Sequence, residues 1–149
     1  MNVNNIDGFE VVGLSVRTTN ASELNPSTAK IGQLWERFYA NAGQKLSERS
    51  KVYGVYTNYE SDSKGAFDVI ACSDELSTEV LLDAIKVEIV SGNYVVFSAT
   101  GELPQAVLNL WAVVLNFFDS ENCPYERSYT TDFEYYKSNT EVEIFISVK

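Results

Sequence analysis

The chain has 149 residues, 45% of them hydrophobic and 13% aromatic, which suits one folded domain with its own core and excludes a disordered chain. Its 21 acidic residues against 11 basic ones give a net charge of −10, a balance that repels phosphate backbones and argues against direct nucleic-acid binding. There is no histidine, and the two cysteines, Cys72 and Cys123, lie far apart, so histidine triads and zinc sites are excluded and no metal or cofactor is expected. No apolar run approaches the roughly 20 residues that span a bilayer, and MNVNNIDGFE does not read as a signal peptide. A cytoplasmic protein without membrane attachment is the expectation.

In chain order, the first clear element is a strand in DGFEVVGLSV, Asp7 to Val16, entered through a glycine turn. A helix follows over Thr28 to Asn41, with Ile31, Leu34, Trp35 and Phe38 on one face. Pro26 with Ser27 or Thr28 supplies its start and Gly43 its stop. Two strands come next, KVYGVYTN and FDVIACS, and after another glycine turn a third, SGNYVVFSAT, Ser91 to Thr100. Pro104 opens a second helix that runs to about Phe118 through Val107, Leu110, Trp111 and Val114. The chain closes with SYTTDFEYY and VEIFISVK, both strands.

These elements read as one pattern written twice. IGQLWERF and VLNLWAVV share apolar-x-x-Leu-Trp-x-x-apolar, and each helix is preceded by a glycine turn with an apolar strand and followed by two strands. The expectation is a single α+β domain over residues 1–149, with pseudo-repeats at about 1–75 and 84–149. Duplicated β-β-α-β-β units would form one curved antiparallel sheet of about eight strands, with two helices on one face and a central groove between them. Concave junctions of this kind favour ligands.

Two carboxylates stand in TTDFEYY, where alternation puts Asp132, Glu134 and Tyr136 on one face and Phe133 and Tyr135 on the other. Glu134 is either a carboxylate at the base of the groove, whose charge a bound cation would offset, or a solvated or internally paired residue. Asp132 is expected to be more exposed. Trp35 and Trp111 are either core residues or the two walls of the groove. No activated nucleophile and no phosphate-binding glycine loop is present, so no catalytic residue is assigned; were the protein an enzyme, Glu134 with a tyrosine would be its acid–base pair.

The order VVGLSVRT, KIGQLWERF, VYGVYTNYE, IVSGNYVVFSATG, LWAVVLNFF, TTDFEYY, VEIFISV resembles the gyrase-inhibitor-like (GyrI-like) effector-binding domains, from about Phe9 to Val148. That family includes the drug-sensing domains of AraC-type and MerR-type regulators such as Rob and BmrR. The resemblance implies an SHS2-type fold, a duplicated strand-helix-strand-strand unit with a groove between two helices. It also implies a module for hydrophobic, often cationic small molecules. Glu134 inherits the ligand-facing carboxylate, with Tyr136 beside it, Phe145 in the last strand, and Tyr53 or Tyr56, of which alternation allows only one to face the groove. The ligand-binding set expected is therefore Glu134, Trp35, Trp111, Tyr53, Tyr56, Tyr136 and Phe145. No helix-turn-helix is read in the chain, and the resemblance is strongest to stand-alone members carried in integron cassettes. Two other functions known in the family are alternatives: hydrolysis of strained electrophiles, and inhibition of a protein partner such as gyrase. Oligomeric state and ligand identity are left open.

Overall fold

The computed structural model describes residues 2–149; Met1, the first residue of the expected domain, lies outside the described residues. The elements are β1 (Asn2–Ile6), β2 (Phe9–Thr18), α1 (Asn20–Glu23), α2 (Ile31–Ala42), β3 (Val52–Thr57), β4 (Phe67–Ser73), β5 (Ile85–Ile89), β6 (Gly92–Thr100), α3 (Gln105–Asp119), β7 (Arg127–Ser138) and β8 (Glu141–Val148). A short 3-10 turn, Gly43–Lys45, follows α2. The strands form one antiparallel sheet in the order β1-β6-β8-β7-β3-β4-β2-β5. The duplicated α+β fold expected from the sequence is the fold observed. About the central β7–β3 pair, β2-α2-β3-β4 mirrors β6-α3-β7-β8.

The outermost strands break the simple reading of two self-contained halves. β1 leads into β2 but pairs with β6, and β5 leads into β6 but pairs with β2. Only Asp7 and Gly8 separate β1 from β2, and only Val90 and Ser91 separate β5 from β6. Short links between strands near opposite ends of the order force the sheet to curl until its ends meet. Gly8 sits at this crossing, where a Cβ would come 3.0 Å from the Ile89 carbonyl oxygen. The Tyr94 hydroxyl donates to the Val90 carbonyl, and Val90 N–H donates to Thr131 Oγ1 at 3.1 Å, tying the crossing to the central strand β7.

Curling encloses one face of the sheet. Val11, Tyr53, Val55, Ile70, Ile89, Tyr94, Phe133 and Phe145 form its core, and Ile6, Phe9, Val87 and Val96 pack against them, so all eight strands contribute. The opposite face is covered in two patches. α2 packs Leu34, Phe38 and Ala42 on Val12, Leu14, Phe67, Val69 and Ala71, whereas α3 packs Val107, Leu110 and Val114 on Val95, Phe97, Val142, Ile144 and Ile146. The strip of β3 and β7 between the two patches is the floor of the groove.

The start of the first long helix differs from its sequence reading. α2 begins at Ile31 and its N-cap residue, Lys30, makes no side-chain cap; the loop segment NASE instead forms α1, started by the Thr19 side chain accepting from Ser22 N–H. Its last residue, Glu23, reaches across to accept from Lys30 N–H at 3.0 Å and Ile31 N–H at 3.1 Å. A carboxylate here satisfies orphan donors and meets the positive end of the helix dipole. Glu23→Ala should therefore destabilise the protein by about 1 kcal/mol in urea unfolding. Among the described residues, no helix is long and apolar enough to cross a membrane.

Candidate functional site

Antiparallel register decides which residues reach the floor. Gly54 lies opposite Glu134 and Tyr56 opposite Asp132, while Glu134 lies opposite Ile144 on β8. Side chains directly across from one another share a face, so Glu134, Tyr56 and Tyr136 point toward the helices. Tyr53 and Phe145 point the other way. Phe145 stacks on Phe133 with ring centroids 4.4 Å apart, and Tyr53 packs with Tyr135 at 5.3 Å inside the curled face. Two of the seven expected ligand-binding residues are thus separated from Glu134 by the thickness of the sheet. The family pattern suggested Phe145, but alternation from its partner Phe133 places it in the enclosed core.

Glu134 is 3% exposed. Its Oε2 accepts from the Trp111 indole N–H at 2.6 Å and the Tyr56 hydroxyl at 2.9 Å, and its Oε1 accepts from the Tyr136 hydroxyl at 2.7 Å. All three donors are neutral. Among the described residues no lysine or arginine forms an ion pair with this carboxylate. Burial pushes its pKa above the usual carboxylate range, against the pull of the three hydrogen bonds from Trp111, Tyr136 and Tyr56. The same burial, with the neighbouring carboxylate, raises the pKa of Tyr56 and Tyr136 and holds both hydroxyls protonated as donors.

Aromatic rings surround the carboxylate. Trp111 lies edge-on to Tyr56 with centroids 5.0 Å apart, and Trp35 lies edge-on to Tyr136 at 5.3 Å. Both tryptophans are half-buried, one from each helix, so each packs on its helix's core patch and also walls the groove. Tyr39 extends the α2 wall by stacking on Trp35 at 5.9 Å. The corresponding place on α3 carries Leu115, which is exposed. Three surface cavities, one beside Lys45 and Leu81, one beside Thr100 and Lys137, and one beside Asn4 and Val113, do not include Glu134. In this structure the rings are closed over the carboxylate.

Sequence reading missed Gly54. A Cβ at this position would collide with Glu134 Oε1 and stand 3.1 Å from Trp35 Cζ2, so the glycine makes room for the carboxylate beneath the ring. Its place opposite an acid in the register was the available signal. Gly54→Ala should displace Glu134 and lower thermal stability by several degrees, a shift that differential scanning calorimetry would read.

Asp132 corrects the expectation of a solvated neighbour, because it is 0% exposed. Oδ1 accepts from Ser147 N–H at 2.9 Å and from the Ser147 hydroxyl at 3.1 Å, and Oδ2 accepts from Arg127 Nη2 at 2.7 Å and from the Tyr59 hydroxyl. An irregularity between Arg127 and Asp132, with Tyr129 at φ +52°, folds the start of β7 back so that the arginine reaches an acid five residues on. One buried carboxylate in the strand is thus neutralised inside the protein. The other has no cationic partner among the described residues.

A half-barrel sheet with two helices flanking a buried carboxylate defines an effector-binding module for small molecules. The chain belongs to the Cass2 family of integron-associated effector-binding proteins, whose model matches residues 3–148. It is similar to an integron cassette protein from the mobile metagenome of Vibrio cholerae, with 62% identity and a TM-score of 0.96 over 99% of this chain and 95% of that one. A protein solved bound to tetraphenylphosphonium shares the fold at 19% identity, TM-score 0.73, over 99% of this chain and 93% of that one. The C-terminal domain of EcmrR does so at 18% identity, TM-score 0.54, over 99% and 96%. No curated protein sequence matches the chain.

Proposed function

We propose that this effector-binding module takes a hydrophobic cation between α2 and α3, held by Trp35, Trp111, Tyr56 and Tyr136, with Glu134 as its counter-charge. The observation that carries the reading is a carboxylate 3% exposed and hydrogen-bonded, among the described residues, only to neutral donors. Burying such a charge is costly unless it is paired, and a cation entering the groove would complete the pair. Rings around it add the attraction of aromatic faces for a desolvated cation, about 2 kcal/mol. The neighbour solved bound to tetraphenylphosphonium supports the same chemistry in this fold. Because the rings close the site in the free protein, Trp35 and Trp111 must part to admit the ligand.

Titration with tetraphenylphosphonium, followed by tryptophan fluorescence, tests the proposal. Saturable binding is expected, with much weaker binding of the neutral triphenylphosphine oxide. Equal affinity for the two would remove the counter-charge from the reading. The affinity should also depend on pH. Glu134 must be ionised to hold the cation, and its pKa lies above the usual carboxylate range, so affinity falls as pH is lowered toward that raised value, sooner than an ordinary glutamate near 4.3 would predict. Catalytic turnover of a strained electrophile that disappears in Glu134→Gln would instead favour the hydrolase alternative.

A further inference from the structure

A further cavity of about 450 Å³ opens beyond the groove, lined by Leu115 and Phe118 of α3, Tyr125, Tyr129, the acids Asp119 and Glu126, and the cations Arg127 and Lys149. Its wall carries the one buried arginine pair of the described residues: the Arg127 side chain is 8% exposed and its partner Asp132 0%. The hydrogen bonding within this pair is unequal. All four acceptor positions of Asp132 are occupied, by Ser147 N–H, the Ser147 hydroxyl, the Tyr59 hydroxyl and Arg127 Nη2. Among the described residues, the guanidinium gives only one of its five N–H donors to an acceptor, and Nε is buried without one. The guanidinium lies over the Tyr129 ring at 4.5 Å and near Phe118 at 5.9 Å, a setting that fixes its plane.

We infer that this cavity is a second ligand site, one that takes the carboxylate of an aromatic acid. Unused guanidinium donors form their strongest hydrogen bonds with a carboxylate, whose two oxygens match the planar fork. Phe118, Tyr125 and Tyr129 give a flat ring apolar surface, and the Lys149 ammonium stands at the rim, 2.9 Å from Glu126 Oε1. The site is chemically opposite to the groove. Glu134 selects a cation with a carboxylate, and Arg127 selects an acid with a guanidinium.

The arginine side-chain Nε–H signals of the ¹⁵N-labelled protein test this directly, because the chain has arginine only at 17, 37, 49 and 127. Titration with 1-naphthoate should move the Arg127 signal to a saturating end point, and Glu134→Gln should leave that titration unchanged. Arg127→Lys, which keeps the charge beside Asp132, assigns the signal by its loss and should abolish the saturable binding. Should that variant fail to fold, Phe118→Leu and Tyr129→Asn keep the ion pair and remove the rings; asparagine tolerates the left-handed backbone at 129. Each should weaken 1-naphthoate about three-fold or more. A set of four Nε–H signals that stays fixed with 1-naphthoate in large excess overturns the inference, as does unchanged affinity in both ring variants.

Discussion

Glu134→Gln should lower the affinity for tetraphenylphosphonium at least about 30-fold, equivalent to about 2 kcal/mol or more, and leave the fold intact. Glutamine keeps the shape of the side chain. Its carbonyl oxygen can accept from Trp111 and Tyr56 as Oε2 does, and its amide can donate to the Tyr136 hydroxyl once that hydroxyl rotates. Only the charge is lost. In the free protein the substitution should raise stability near neutral pH, because an acid whose folded pKa lies above its unfolded one favours folding at low pH. That contribution is fully present below the ordinary carboxylate value and is lost as pH rises through the raised one. Urea melts of both forms across that range should show the parent losing ground to the variant as pH increases. Weaker binding together with greater stability is the signature of a charge kept for a ligand; equal cation affinity in the two proteins would refute the assignment.

Asp132→Ala has the opposite profile. It removes the acceptor of four donors and strands the Arg127 guanidinium, whose side chain is 8% exposed, without its counter-ion. Breaking a buried pair from one side typically costs about 3–5 kcal/mol, a large share of the 5–15 kcal/mol that folded domains typically possess. Asp68→Ala provides the comparison. It breaks the Arg17–Asp68 bridge at a site where the arginine is 46% exposed, and the expected cost is about 1 kcal/mol or less. The difference in urea midpoint between the two variants measures what burial does to an ion pair. Comparable small losses in both would mean that Asp132 does not anchor β7.

The sequence made the helices and most strands legible because each buries one face, and burial leaves a period. IGQLWERF and VLNLWAVV carried the helical stripe plainly enough for their likeness to show. β1 and β5 left less of a trace: NVNNI carries only two apolar residues, Val3 and Ile6, among three asparagines, and IKVEI alternates charges along an edge with little core to fill. Their exchanged pairing is a long-range event that no local period encodes. In the site, alternation required a choice between Tyr53 and Tyr56, but only the register with β7 could make it. Asp132 was misjudged because its partner lies across an irregular turn rather than at a strand or helix spacing. One clue was present: Arg127 is the sole basic residue between Lys86 and Lys137. Gly54 was unreadable without the register, since its meaning lies in the atom across from it.

The exchanged outer strands bear on how the molecule comes into being. Each half receives its final strand from the other, so neither sheet edge is complete until residues as distant as Asn2 and Val96 have met. Contacts of such separation must overcome a large loop-closure entropy before they contribute any stability, which places this chain among slow folders. Completion of the sheet must wait for synthesis to pass β8, which joins β6 to β7, and from then on the two halves are interlocked like clasped hands, so that loosening either edge strand opens the half that did not encode it.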